Sequence, residues 1–277
     1  METLETEKKR FSKKLLITLG CSFTEGVGCY IPELLKDNQP IVPRIKIYNA
    51  SVDRFHTMGW PTQLQKKLQY DCLYNLGRGG ASNSQIVKQW FERFSNTNLS
   101  TEYEVLVVWL VTFSNRISFY RDGVANSLLP VTNTNPDRID VYKNLYESYI
   151  AFLGNDYKKD MILEMYFYVN IIKTICDLSN YKFLYLNIDQ EEGILLDRLM
   201  KSNASLNFLH KKYYPTDAYP FTKGDNLAFC GHLNEKGYEV LAERMSTMIK
   251  NEYPELVNTE HEPTQYEMKY LGEPKQW

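Results

Sequence analysis

The sequence predicts a three-layer α/β fold whose mostly parallel sheet is wound on both faces. Three observations lead there. Four short, largely apolar runs alternate with segments whose apolar residues recur at helical spacing. The runs lack the in-out alternation of a half-exposed sheet, as strands covered on both faces must. Two of them pass through Gly- and Ser-containing turns into a helical pattern, which is how a strand hands over to a covering helix.

The strands fall at residues 15–19, 73–76, 105–111 and 183–188. Trp60, Leu64 and Leu68 after Gly59 mark one helix, and Ile86, Trp90 and Phe94 after Ser84 mark another. Tyr238, Leu241, Met245 and Met248 mark a third, with Asn234 placed to cap its N-terminus. Residues 120–180 read as a covering layer: a polar loop at 131–137, then helical stretches through Tyr142, Leu145 and Tyr149 and over 161–175. Residues 190–228 are an irregular connection rich in Tyr and Pro. The organisation expected is a single domain over 1–252, with insertions near 120–180 and 190–228. A polar tail follows at 253–277, either a loose terminus or an arm for homo-oligomer or virion assembly.

Composition excludes several classes. Of the 277 residues, 43% are hydrophobic and 24% charged, the balance of an ordinary globular protein. No apolar run reaches the ~18 residues of a membrane span, and the first residues are charged where an export signal would be apolar. A cytoplasmic chain is expected, or a virion-associated one if a phage encodes it. The five cysteines are odd in number and widely spaced, so they read as reduced. A net charge of -2 offers no field for a nucleic-acid backbone.

The chemistry gathers at strand ends, the rim where open α/β sheets bind ligands. The first strand runs into Gly20, Cys21, Ser22, Phe23, Thr24, Glu25 and Gly26. A serine on a sharp strand-end turn can present its hydroxyl above the sheet, which makes Ser22 a candidate nucleophile, though such serines often only cap helices. After the second strand, Gly77, Gly79 and Gly80 precede Ser82 and Asn83 at a helix start. Main-chain amides there could stabilise an oxyanion, Gly80 above all, or the segment is simply a turn. Asn83 is a candidate substrate-binding residue on the same rim. After the third strand, Thr112 and Asn115 are candidate oxyanion donors. Arg116 would bind an anionic group of the substrate or pair with a neighbouring carboxylate. His232, in the loop before the last helix, is a candidate general base. Cys230 and His232 alone, without a second cluster of Cys or His, do not make a zinc site, and no metal or cofactor is called for. The run Gly77 to Gly80 lacks the spaced glycines of a dinucleotide loop and the lysine of a phosphate loop.

Gly20, Cys21, Ser22 and Gly26 resemble the first sequence block of SGNH (GDSL-type) hydrolases, with Cys21 where that block usually has an acid. Asn75, Gly77, Gly80 and Ser82 resemble the second block, and His232, Asn234 and Gly237 the last. The stretch from Trp60 and Leu64 through Asn75 to Asn83 looks like small SGNH-type proteins of tailed phages. The resemblance covers about half the chain in short pieces. It implies an SGNH-hydrolase or flavodoxin-like fold, Ser22 as nucleophile, His232 as base, and the amides of Ser22 and Gly80 in the oxyanion hole. Two positions depart from the pattern. Thr112 stands where the third block has asparagine, and Phe229 stands where an acid three residues before the histidine would complete a triad. A main-chain carbonyl is the favoured partner for the second ring nitrogen, with Asp225 and Asp189 as alternatives. The function expected is a serine esterase or deacetylase acting on a small-molecule or glycan ester, or on a lipid ester, through an acyl-serine. The alternative is a virion or scaffold protein of the same fold with weakened chemistry. Tyr213, Tyr214, Tyr219 and Phe221 are candidates for stacking on a sugar, though burial against the sheet is the commoner use of aromatic residues.

Overall fold

The computed structural model describes residues 13–121, 124–128, 144, 147–152, 154, 156–189, 192, 224–256 and 267–270. The four apolar runs become β1 (Lys13–Gly20), β2 (Cys72–Gly77), β3 (Tyr103–Val111) and β4 (Lys182–Asn187), the first three extended by a residue or two beyond the apolar stretch and β4 shifted one residue earlier. With β5 (Glu267–Tyr270) they form one parallel sheet in the order β4-β3-β1-β2-β5. The chain leaves central β1 to one side for β2 and returns past it to β3. The boundary between β1 and β3 is therefore the switch point at which ligands bind in such sheets. Register makes this useful, because Gly20 lies level with both Gly77 and Leu110, so the turns after β1, β2 and β3 open on one rim.

Successive residues of a strand point to opposite faces, and each face is covered. On one side Leu15, Ile17, Leu19, Val107 and Trp109 pack against α5 (Asn83–Phe94) and α6 (Tyr157–Leu178), through Ile86, Trp90, Met165 and Ile172. On the other, Leu16, Leu73, Leu106 and Val108 meet α4 (Trp60–Leu68) and α7 (Glu235–Glu252), through Trp60, Leu64, Leu241 and Met245. Each fully buried side chain of this size contributes about 1.5–3 kcal/mol, so the two faces together hold the rim in place. Three shorter helices, α1 (Ser22–Glu25), α2 (Arg44–Ala50) and α3 (Val52–Met58), connect β1 to α4.

Helix starts follow side-chain chemistry. Ser82 accepts from the Gln85 N–H while the Gln85 side chain accepts from the Ser82 N–H, a capping box that fixes the start of α5. Asn234 accepts from the Gly237 N–H at 3.0 Å and caps α7.

Two parts depart from the sequence reading. The segment at 253–277 is not wholly a loose tail: Leu256 is buried, and β5 pairs in parallel with β2 at the sheet edge. Within the insertion near 120–180, Ile117–Arg121 and Val124–Leu128 form an antiparallel hairpin ahead of α6. The polar loop at 131–137, and Tyr213, Tyr214, Tyr219 and Phe221 of the late connection, lie outside the described residues.

Candidate active site

The nucleophile turn is shaped by glycines that no other residue could replace. Gly20 ends β1 with φ +153, and a Cβ there would lie 2.0 Å from Thr24 Oγ1. Thr24 and Glu25 donate their N–H groups to Cys21 O, winding α1 immediately after the strand. Gly77 lets the end of β2 approach this turn, since its Cβ would stand 2.3 Å from Glu25 N. Buried Asn75 ties the same two segments, donating to Thr24 O at 3.1 Å and accepting from the Gly77 N–H at 2.8 Å. Ser22, the first residue of α1, is thus fixed at the rim.

The loop carrying His232 is clamped onto this turn. Ala228 N–H donates to His232 O at 2.8 Å, Asn234 N–H donates to Asn226 O at 2.8 Å, and Gly231 takes a positive φ of 80 at the bend. Gly28 makes room beneath it; a Cβ there would be 2.0 Å from Leu233 O and 3.1 Å from His232 Cβ. The outcome is a hydrogen bond of 2.7 Å between Ser22 Oγ and His232 Nε2, residues 210 apart in sequence. The Phe23 ring lies 4.6 Å from the imidazole, centroid to centroid.

Burial, and then the nearby positive charge of Arg116, lower the His232 pKa to about 4, while a hydrogen bond to the Cys230 main chain works the other way. His232 is therefore neutral at physiological pH, with Nε2 free to accept the proton that the Ser22 hydroxyl offers. Its Nδ1 faces Cys230, with Sγ at 3.3 Å. The Cys230 thiol also meets the Tyr30 hydroxyl, and Tyr30 stacks on Phe229 with ring centroids 4.8 Å apart. Asp225 is exposed and shows only its main-chain carbonyl to this loop, accepting from Asn234 Nδ2 at 2.8 Å. Asp189 Oδ1 accepts from the Glu192 N–H at 3.1 Å. Neither carboxylate hydrogen-bonds to His232 in the described structure.

The expected oxyanion and binding residues divide. Gly80 has φ +74 with nothing within 4 Å of a Cβ position, and its N–H has no hydrogen-bond acceptor among the described residues; the same is true of the Ser22 N–H. Thr112 is fully buried, with an Oγ1 that has no hydrogen-bond partner, so its hydroxyl does not open onto the rim. Asn115 is half-buried in the turn after β3 and makes no hydrogen bond to Ser22 or His232. Asn83 has a structural task at the rim: its Nδ2 donates to Thr112 O at 3.0 Å and its Oδ1 accepts from Thr112 N–H at 3.1 Å, so the amide clasps the end of β3. Arg116 donates from Nη1 to Ala81 O at 3.3 Å and lies over the Phe113 ring. Sequence reasoning weighed Cys230 only as a metal ligand and passed over Tyr30, Gly28 and Glu192. The sequence signal for Cys230 was its place two residues before the histidine. Among the described residues no group of three or more His, Cys, Asp or Glu could hold a metal ion, and no helix is long and apolar enough to cross a membrane.

No protein-family model matches this chain, and no curated relative does. Among solved structures the fold resembles an acetyl xylan esterase, Est2A, from the rumen bacterium Butyrivibrio proteoclasticus, with a TM-score of 0.52 at 13% identity. That match covers 88% of this chain and 65% of the esterase, so the chain spans less than two thirds of the esterase's length. A second carbohydrate esterase, whose active site is described as having divergent catalytic and non-catalytic binding functions, matches with a TM-score of 0.49 at 13% identity, over 88% of this chain and 66% of that one. At this identity the likeness establishes an esterase-like α/β fold.

Proposed function

We propose that the chain is a serine esterase or deacetylase that transfers an acyl group from a carbohydrate ester to water. The single observation behind this is the 2.7 Å contact between Ser22 Oγ and a neutral His232 Nε2 at the switch point of the sheet. Ser22 Oγ attacks the ester carbonyl while its proton passes to Nε2. The negative charge that develops on the carbonyl oxygen is met by the unused N–H groups of Ser22 and Gly80. Nε2–H then protonates the departing alcohol, leaving an acyl-Ser22. Water, deprotonated by Nε2, attacks that acyl group, and return of the proton to Ser22 Oγ releases the acid.

The Nδ1 side sets the speed. A triad carboxylate holds the imidazole tautomer and stabilises the imidazolium that forms. Here the Cys230 main chain and thiol can do the first, and a neutral thiol does little of the second. Slow turnover is the consequence. The same feature favours the second reading, a protein of this fold that assembles with partners and has lost efficient chemistry, as the phage-like stretch at 60–83 would suit. Hydrolysis of 4-nitrophenyl acetate separates the two. The esterase reading expects a slow rate that Ser22→Ala and His232→Ala remove alike, because the two residues act as a unit. Equal rates in wild type and Ser22→Ala would leave the assembly reading.

A further inference from the structure

A cavity of about 190 Å³ opens between the start of α5, the turn after β3 and one face of α6. It is smaller than the ~300–1,000 Å³ of drug-sized sites and has room for one sugar ring. Arg116, Ser84 and Ser114 line it on the rim side; Tyr149, Tyr168 and Glu164 line it on the helix side. Tyr168 donates to Glu164 Oε1 at 2.7 Å, so the one carboxylate among the described lining residues is already engaged.

Arg116 is the unusual member. Among the described residues it has no carboxylate within ion-pair distance, and its Nε is buried with no hydrogen-bond acceptor. With one hydrogen bond and no paired carboxylate, Arg116 keeps outer N–H groups that an anion can take. Glu192 is engaged by Ser114: both its oxygens take the Ser114 N–H at 3.0 Å and Oε1 takes the Ser114 hydroxyl at 2.6 Å. Burial raises its pKa to about 7, while the hydrogen bonds from Ser114 and the charge of Arg116 work the other way. The hydrogen bond to Ala81 O, the residue after Gly80, ties Arg116 to the rim segment that carries the unused Gly80 N–H.

We propose that this cavity is a carboxylate subsite held by Arg116, and that the ester hydrolysed sits on an acidic sugar. The inference rests on the esterase reading for the identity of the substrate, though the subsite can be tested without turnover. A guanidinium binds a carboxylate through paired, charge-assisted hydrogen bonds. The hydroxyls of Ser84 and Ser114 and the rings of Tyr149 and Tyr168 suit the ring hydroxyls and faces of a pyranose. A monoanion fits better than a phosphate dianion, because Glu164 stands on the opposite wall.

The test uses the full chain carrying Ser22→Ala, so that binding is read without hydrolysis. Saturation-transfer NMR titrations with D-galacturonate and D-galactose compare the same ring with and without its carboxylate. Galacturonate should bind at least about tenfold more tightly, the size of one charge-assisted hydrogen bond. Arg116→Gln should erase that preference and Arg116→Lys should keep part of it. Equal binding of the two sugars, no binding of either, or a preference that survives Arg116→Gln would overturn the subsite. D-galactose 6-phosphate binding more tightly than galacturonate would overturn the choice of a carboxylate. Failure of the esterase reading would appear separately, as wild-type and Ser22→Ala proteins that hydrolyse 4-nitrophenyl acetate equally.

Discussion

The two halves of the candidate site are built to different standards. On the Ser22 side, Gly20, Gly77 and Asn75 lock the strand-end turn, the two glycines by approaches too close for a side chain and Asn75 by its side-chain amide. On the His232 side the loop is equally well clamped, yet the ring nitrogen away from the serine meets a thiol and a main chain instead of a carboxylate. Both sides are positioned, and no carboxylate supports the imidazole. Positioning and electrostatic support are separable contributions, and this site has the first in full and the second in part.

Removing the geometry should have the greatest effect. Gly77→Ala forces a Cβ to within 2.3 Å of Glu25 N, so urea unfolding should show a loss of about 3 kcal/mol, and turnover should vanish with the displaced turn. Next comes the reacting pair. In a complete triad, loss of the nucleophile costs about 10⁶ and loss of the acid alone between 10⁴ and 10⁵. A pair that already lacks the acid should therefore lose only on the order of 10²-fold with Ser22→Ala or His232→Ala. A loss near 10⁶ would mean that a carboxylate supports His232 after all.

Restoring charge is the sharper comparison. Cys230→Asp would bring a carboxylate to the Nδ1 side, and its turnover of 4-nitrophenyl acetate should rise by about tenfold or more. The pH profile should move with it. Wild-type His232 accepts a proton only while neutral, so kcat/KM should stay level down to about pH 5 and fall through about pH 4. A carboxylate favours the imidazolium, so in Cys230→Asp that acid limb should shift to higher pH. The smallest effects belong to the remote acids: Asp225→Asn and Asp189→Asn should each change turnover by less than about tenfold, because neither hydrogen-bonds to the imidazole.

Much of this was legible in the sequence for physical reasons. The four central strands are buried on both faces and so are written as apolar runs, and α4, α5 and α7 carry their core residues at helical spacing. Ser22, Gly80 and His232 stood out because strand-end turns need small residues and a base must come from a loop that reaches the rim. Strand β5 was missed because an edge strand four residues long has no apolar run to announce it. The hairpin at Ile117–Arg121 and Val124–Leu128 was missed although Asp122 and Gly123, a frequent hairpin dipeptide, stand between its strands. The clasp that Asn83 makes on Thr112 was not legible, because a polar residue at a rim looks the same in sequence whether or not it also holds a neighbouring strand. The role of Cys230 depends on a loop conformation that one chain's residue order does not specify.

The most direct measurement is covalent labelling by a fluorophosphonate, which reports an activated serine without requiring the natural ester. Peptide mass spectrometry of the wild-type protein should find the adduct on Ser22, formed slowly and lost in His232→Ala. An intact protein that shows no adduct at Ser22, or one whose labelling at Ser22 is unchanged in His232→Ala, would contradict a working Ser22–His232 pair.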